Sequence, residues 1–152
     1  MNADWILTKN AVIQKVNQLL GSLHPLQQEM LNKVSASLPV EVGKTTAKIS
    51  KGENYKGLPY LVLDYPRYFD KENVFAIRTM FWWGHFFSIT LHLSGIYQRQ
   101  FESKIMAGYS LLVKDDFFIA TGSDEWEHHF EEDNYSPARK KKKKEFGQCI
   151  AE

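Results

Sequence analysis

Apolar residues spaced three and four positions apart open the chain and predict two amphipathic helices. The first runs from Asn2 to Leu20, and Gly21 after it is typical of a left-handed helix C-cap. Pro25 suits the first turn of a second helix, which ends before Pro39. The apolar stripe of this second helix consists of Leu26, Met30, Leu31 and Val34. The pattern therefore predicts an N-terminal helical hairpin.

After Val42 the apolar period shortens to two, which is typical of β-strands. The segments KTTAKISKG and LPYLVLDY predict two strands, joined by a turn at NYKG. Pro66 is expected to end the second strand, because PRYFDKEN is rich in turn-forming residues.

The next stretch, VFAIRTMFWWGHFFSITLHLSG at residues 74–95, combines many apolar and aromatic side chains with Arg78, His85 and His92. A membrane helix needs about 20 apolar residues with few charges, and these three residues interrupt the run. β-Branched and aromatic residues favour strands. We therefore predict two strands, about 74–82 and 85–93, joined by a tight turn at Trp83–Gly84.

The register of this hairpin decides which side chains share a face. A two-residue turn predicts Trp82 opposite His85 and Arg78 opposite Ile89, with Phe86 and His92 on the other face. Large apolar groups occur on both faces, whereas a sheet with one wet face alternates more cleanly. We therefore expect helices on one face, and a second copy of the chain or a ligand cavity on the other.

The remaining third of the chain predicts short elements. Ser94 is a plausible N-cap for a helix over GIYQRQFESKIMAG. YSLLVKDDFFIATG predicts a hairpin whose first arm could instead extend that helix, and SDEWEHHFEEDNY predicts a short helix. The predicted fold class is α+β, with the helical hairpin packed on an antiparallel sheet of about four to six strands and one or two later helices. Residues 1–137 are predicted as one globular domain and 138–152 as a basic, solvated tail.

The distribution of charge along the chain limits the partners that the protein is expected to bind. Six of the 19 basic residues and two of the 18 acidic ones lie in 138–152, so the rest of the chain has a net charge of −3. Nucleic-acid binding by the body is therefore not expected, and only the lysine tail offers a weak route to it. Cys149 is the only cysteine, and the first residues lack a signal-peptide pattern, so a cytoplasmic protein without membrane attachment is expected.

Arg78 is the first candidate for chemistry, because an arginine within a central strand needs a partner. Asp64 on the neighbouring predicted strand is the expected partner, with Asp70 or Glu72 as alternatives, which gives a structural ion pair or an exposed position at the edge of the sheet. The alternative is a small anionic ligand, since arginine holds carboxylate or phosphate with two parallel donors. Trp82, Phe86 and His92 would then form the walls of that pocket.

The second candidate is a histidine pair in the acidic segment. On a helix, Glu125 and Glu132 lie three and four residues from His128 and His129, a spacing that can ligate a metal. No HExxH or similar signature accompanies them, and local charge balance is a sufficient alternative explanation.

Three functions remain open. The leading one is a non-catalytic binding or interaction module, homodimeric through an aromatic sheet face, since 14% of the residues are aromatic and no catalytic motif is present. The second is a protein that binds a small anionic ligand around Arg78. The third is a metal-dependent enzyme that uses His128 or His129 with Glu125 or Glu132. The sequence identifies no cofactor and favours no enzymatic activity.

Overall fold

The chain divides into two units, Met1–Leu93 and Ser94–Glu152. A long helix and a four-stranded antiparallel sheet form the first unit. The computed structural model describes residues 2–152 and gives an α+β fold. The first elements are α1 (Ala3–Val34), α2 (Val40–Gly43), β1 (Lys48–Tyr55), β2 (Leu58–Phe69), β3 (Val74–Trp82) and β4 (Phe87–Ser94), and the strands pair in the order β1-β2-β3-β4.

The predicted helical hairpin is wrong, because α1 continues through both Gly21 and Pro25. A helical glycine costs about 1 kcal/mol relative to alanine, and an interior proline costs about 3 kcal/mol. The carbonyl that Pro25 leaves without its helical donor is that of Gly21, four residues earlier, so both disturbances affect one turn. Burial of Leu20 and Leu31, on either side of this turn, outweighs the cost of the glycine and the proline.

The core under α1 uses fewer of its apolar residues than the pattern predicts. Val16, Leu20 and Leu31 are buried against the side chains of β2, mainly Leu61 and Leu63. In contrast, Leu26, Met30 and Val34, which were predicted on an inner stripe, are exposed. Two separate helices could each rotate their stripe inward, whereas one continuous helix has a single phase, and the buried residues set it.

β2 is longer than predicted because Pro66 does not end it. The β2–β3 register shifts between Asp64 and Arg67, and proline is tolerated at such an irregularity, where the regular ladder is interrupted. On the regular side of the shift Asp64 lies opposite Arg78.

The turn between β3 and β4 is one residue longer than predicted. The N–H of Trp82 donates to the carbonyl oxygen of Phe86 at 3.0 Å, and the N–H of His85 donates to that of Trp82 at 3.1 Å. Gly84, with φ of 72°, provides the positive φ that a type II turn needs at its third residue. Trp82 therefore lies opposite Phe86 rather than His85, and the rings of Phe81 and Phe87 meet at 5.0 Å.

The second unit has more helix than predicted. It contains α3 (Ile96–Ala107), α4 (Tyr109–Lys114), β5 (Phe118–Ala120), β6 (Tyr135–Pro137) and α5 (Lys143–Ala151), and β5 pairs with β6 in a separate two-stranded sheet. Tyr109–Lys114 is helical rather than the first arm of a hairpin. Residues 124–134 form turns and irregular structure rather than the predicted helix.

The predicted solvated tail also differs from the structure. Residues 143–151 form α5, which packs on α3, and the ring of Phe146 is buried against Tyr109. A single aromatic residue in the lysine-rich segment therefore anchors it, although the lysines themselves are exposed or partly exposed. Among residues 2–152, none of the helices combines the length and the apolar character that a membrane crossing requires.

Candidate functional site

The predicted ion pair occupies the face of the sheet that points away from α1. Arg78 donates to Asp64 from Nε to Oδ1 at 2.8 Å and from Nη2 to Oδ2 at 2.9 Å. The side chains are only 14% and 9% exposed. The two parallel donors that would hold an anionic ligand thus already hold a carboxylate of the same sheet.

The turn length places the other predicted pocket residues on this same face. With Trp82 opposite Phe86, alternation along β4 puts Phe86 and His92 on the face of Arg78, not on the opposite one as predicted. The Trp82 ring stacks on His85 at 3.7 Å, and its Nε1 donates to the carbonyl oxygen of Tyr55 at 3.2 Å. The ring of Trp82 therefore serves internal packing, and an anionic ligand at Arg78 stays a prediction.

The predicted metal ligands have a different arrangement from the expected helical one. His129 is buried, and its two ring nitrogens contact Glu127 Oε2 at 3.0 Å and Asp133 Oδ1 at 3.1 Å. These carboxylates lie at opposite edges of the imidazole, so they cannot converge on one ion with it. In the described part of the chain, no three His, Cys, Asp or Glu side chains form a group able to hold a metal. His128, Glu125 and Glu132 belong to the same irregular segment.

Exposed apolar side chains of α1 and β4 lie on the α1 side of the sheet. We call this group the α1–β4 surface, and its side chains are each about half exposed or more: Leu19, Leu26, Met30, Phe87, Ile89 and Leu91. Phe87 contacts Phe81, which itself packs against the core under α1, so the exposed side chains of β4 share the sheet face that α1 occupies.

The helical members of the α1–β4 surface face β4 rather than β1. Asn10 and Asn17 of α1 line an open cavity of about 510 Å³ beside β1. Successive helical residues rotate by about 100°, so Leu19 and Met30 lie on the opposite flank of α1. The contact of Trp5 with Trp83, at 5.6 Å between ring centroids, brings the start of α1 to the β3–β4 turn on that flank.

The two edges of the sheet differ in chemistry. β1 carries charged residues, including Lys48, Lys51 and Glu53, and its pairing with β2 shifts between Gly52 and Tyr55. β4 has the sequence FSITLHLS, with no proline and no Lys, Arg, Asp or Glu. Among residues 2–152 no strand pairs with its outer edge.

The second unit carries a groove of about 440 Å³ beside β5 and β6. Its lining combines rings, hydroxyls and charges: Phe118, Thr121, Phe130, Glu132, Tyr135, Ser136, Pro137, Lys140 and Lys141. No local sequence pattern indicates this groove, because its rings Phe118, Phe130 and Tyr135 lie about 22, 10 and 5 positions before Lys140.

The α1–β4 surface was missed for a related reason. Leu26 and Met30 have the spacing of core residues, and only the phase of the continuous helix shows that they point outward. For Ile89 and Leu91 a signal exists in the sequence, namely a strand of eight residues without a charged side chain. Comparison of the chain with protein-family models, with curated proteins and with solved structures found no match.

Proposed function

We propose that this chain is a non-catalytic interaction module that forms a homodimer through the α1–β4 surface. The observation that carries the proposal is the contrast between the sheet edges. Natural sheets protect a free edge with charges, proline or a bulge, because an unprotected edge pairs with other strands. β1 has such protection in Lys48, Lys51 and its register shift, whereas β4 has none.

The second copy is the occupant because the surface is self-complementary. An antiparallel pair of β4 strands is symmetric about a two-fold axis, which is the commonest symmetry of homodimers. The same pairing would bring Ile89 and Leu91 of each copy against the α1–β4 surface of the other. Because β4 has no Lys, Arg, Asp or Glu side chain, the pairing would bring no like charges of these strands together.

The available area is sufficient for a specific dimer. At their exposed fractions the six side chains offer about 600 Å² per copy, or about 1,200 Å² in a symmetric pair, which is the lower limit of a standard interface. Hydrogen bonds between the paired β4 edges would add to this apolar contact.

The decisive test is the mass of the native protein with and without a charge in the centre of β4. We expect the unmodified chain to be a dimer by native mass spectrometry and by light scattering after size exclusion. Ile89→Lys should raise the dimer dissociation constant at least about 100-fold. Ile89 is exposed in the single chain, and the symmetric interface would bury two copies of it, both of which the variant loses.

Leu7→Lys is the matched control. Leu7 is also an exposed apolar residue of the first unit, but it lies on a different flank of α1 from Leu19 and Met30. It should leave the dissociation constant unchanged. A monomeric unmodified chain at micromolar concentration, or equal effects of the two variants, would refute the proposed dimer.

A further inference from the structure

The groove of the second unit joins two chemistries that are separate in the sequence. Phe118 of β5 is 43% exposed, and its ring meets that of Phe130 edge to face at 5.2 Å. Phe130 in turn stacks on the buried Tyr135, with ring centroids 4.6 Å apart and planes 16° from parallel. The exposed ring of Phe118 therefore packs on Phe130, which itself stacks on Tyr135, and this support lowers the ordering cost at binding.

The basic side of the groove is poorly neutralised. Lys140 approaches Glu132 at 3.8 Å, but both side chains are exposed, at 62% and 98%, and such pairs contribute little. Within the described residues, the amines of Lys141, Lys143 and Lys144 form no ion pair. Five successive lysines, from Lys140 to Lys144, run from the groove into the first turn of α5, and among the described residues only Lys140 of the five forms an ion pair.

The combination narrows the chemistry of the ligand. Lysine amines attract phosphates, and an exposed, rigid aromatic ring stacks on a nucleobase. A small aromatic acid would engage the ring and Lys141 but leave the rest of the lysine run without a partner. Duplex DNA would engage the lysines but would offer no unstacked base to Phe118. A flexible polyanion with exposed bases uses both features along the whole lysine run.

We propose that this groove binds single-stranded nucleic acid, with a base stacked on Phe118 and successive phosphates along Lys140–Lys144. This site belongs to the second unit and does not depend on the homodimer proposed for the α1–β4 surface. The acidic residue that lines the groove, Glu132, opposes the phosphates, and affinity is expected to fall steeply with salt.

The first measurement is fluorescence anisotropy of a fluorescein-labelled oligodeoxythymidine with the full chain at low salt. The comparison ligand is an abasic oligomer of the same length and charge. We expect the oligomer with bases to bind roughly tenfold more tightly, since stacking of a single base on an aromatic ring accounts for a change of that size. No binding, or equal binding of both oligomers, would overturn the proposal.

Two matched pairs of variants test the named residues. Phe118→Leu keeps an apolar contact for Phe130 but removes the stacking ring, so it should weaken binding roughly tenfold. Phe117→Leu alters the exposed neighbour that does not line the groove and should leave affinity within about twofold.

The lysine variants make the proposal testable even if Phe118→Leu fails to fold. Lys141→Gln should reduce the slope of log affinity against log salt by about 0.7, the value for one phosphate contact to a single strand. Lys114→Gln, at an exposed site outside the groove, should leave the slope unchanged. Equal slopes for these two variants, or equal affinities for Phe118→Leu and Phe117→Leu, would contradict the proposed site.

Discussion

Removal of one member of the Asp64–Arg78 pair should destabilise the first unit strongly. In the variant Asp64→Ala, the guanidinium loses both carboxylate hydrogen bonds, at 2.8 and 2.9 Å, at a site where the Arg78 side chain of the unmodified protein is only 14% exposed. Removal of one member of a buried ion pair costs about 3–5 kcal/mol. A domain of this size has a free energy of unfolding of about 5–15 kcal/mol, so the variant loses a large part of its stability.

Replacement of both members separates the contribution of the pair from the cost of stranding one charge. Asp64→Leu together with Arg78→Met removes the charge at both positions, and such replacements are often neutral or stabilising. The double variant should therefore be more stable than either of its single variants, Asp64→Leu and Arg78→Met. This non-additivity, a coupling of about 3 kcal/mol or more, is the specific signature of a desolvated pair.

Urea unfolding followed by tryptophan fluorescence measures these free energies. Glu29→Gln is the control, since Glu29 forms an exposed ion pair with Lys33 that should contribute well under 1 kcal/mol. If Asp64→Ala costs no more than Glu29→Gln, or if the single effects add in the double variant, the pair is not a buried structural element. An anion-binding role for Arg78 would then regain support.

Two further predictions follow from backbone geometry and from a loop carboxylate. Gly21→Ala should raise the free energy of unfolding by about 1 kcal/mol, because Gly21 is helical and a Cβ there meets nothing within 4 Å. Gly84→Ala should lower the free energy of unfolding by about 1–2 kcal/mol, because Gly84 has a φ of 72°. Shifts of the denaturation midpoint in the same direction for the two variants would contradict this. The side-chain amide of Asn73 and the backbone N–H of Glu72 donate to Asp70 and lower the pKa of its carboxyl, so its stabilising effect is complete above the unfolded pKa near 3.9 and is lost as pH falls through the folded value. The stability difference between the unmodified chain and Asp70→Asn should therefore shrink in urea titrations from pH 7 to pH 3, and a constant difference would refute this linkage.

The local sequence pattern was sufficient to predict the central strands of the sheet. The strands at residues 58–65 and 74–82 were predicted because alternation and β-branched content are properties of a few consecutive residues. The partnership of Arg78 with Asp64 was predicted for a similar reason, since a charged residue within a central strand requires a nearby opposite charge.

The path of the N-terminal helix could not be predicted from local signals. Gly21 and Pro25 are typical of a break, and their cost of a few kcal/mol argues for two helices. Burial of Leu20 and Leu31 on the same strand side chains reverses this balance, and that burial exists only in the folded unit. The same packing sets the phase of α1 and turns Leu26 and Met30 outward.

The candidate sites likewise depend partly on local sequence and partly on tertiary packing. The sequence by itself determined the α+β class, the central strands, the Arg78–Asp64 partnership and the lysine run, because each rests on neighbouring residues or on a general requirement for charge pairing. The tertiary structure alone decided the length of the β3–β4 turn, the faces of β4 and the exposed α1–β4 surface. It also brought Phe118 and Phe130 beside Lys140 and Lys141. These features depend on register, helix phase and contacts between distant residues, which arise only when the elements pack together.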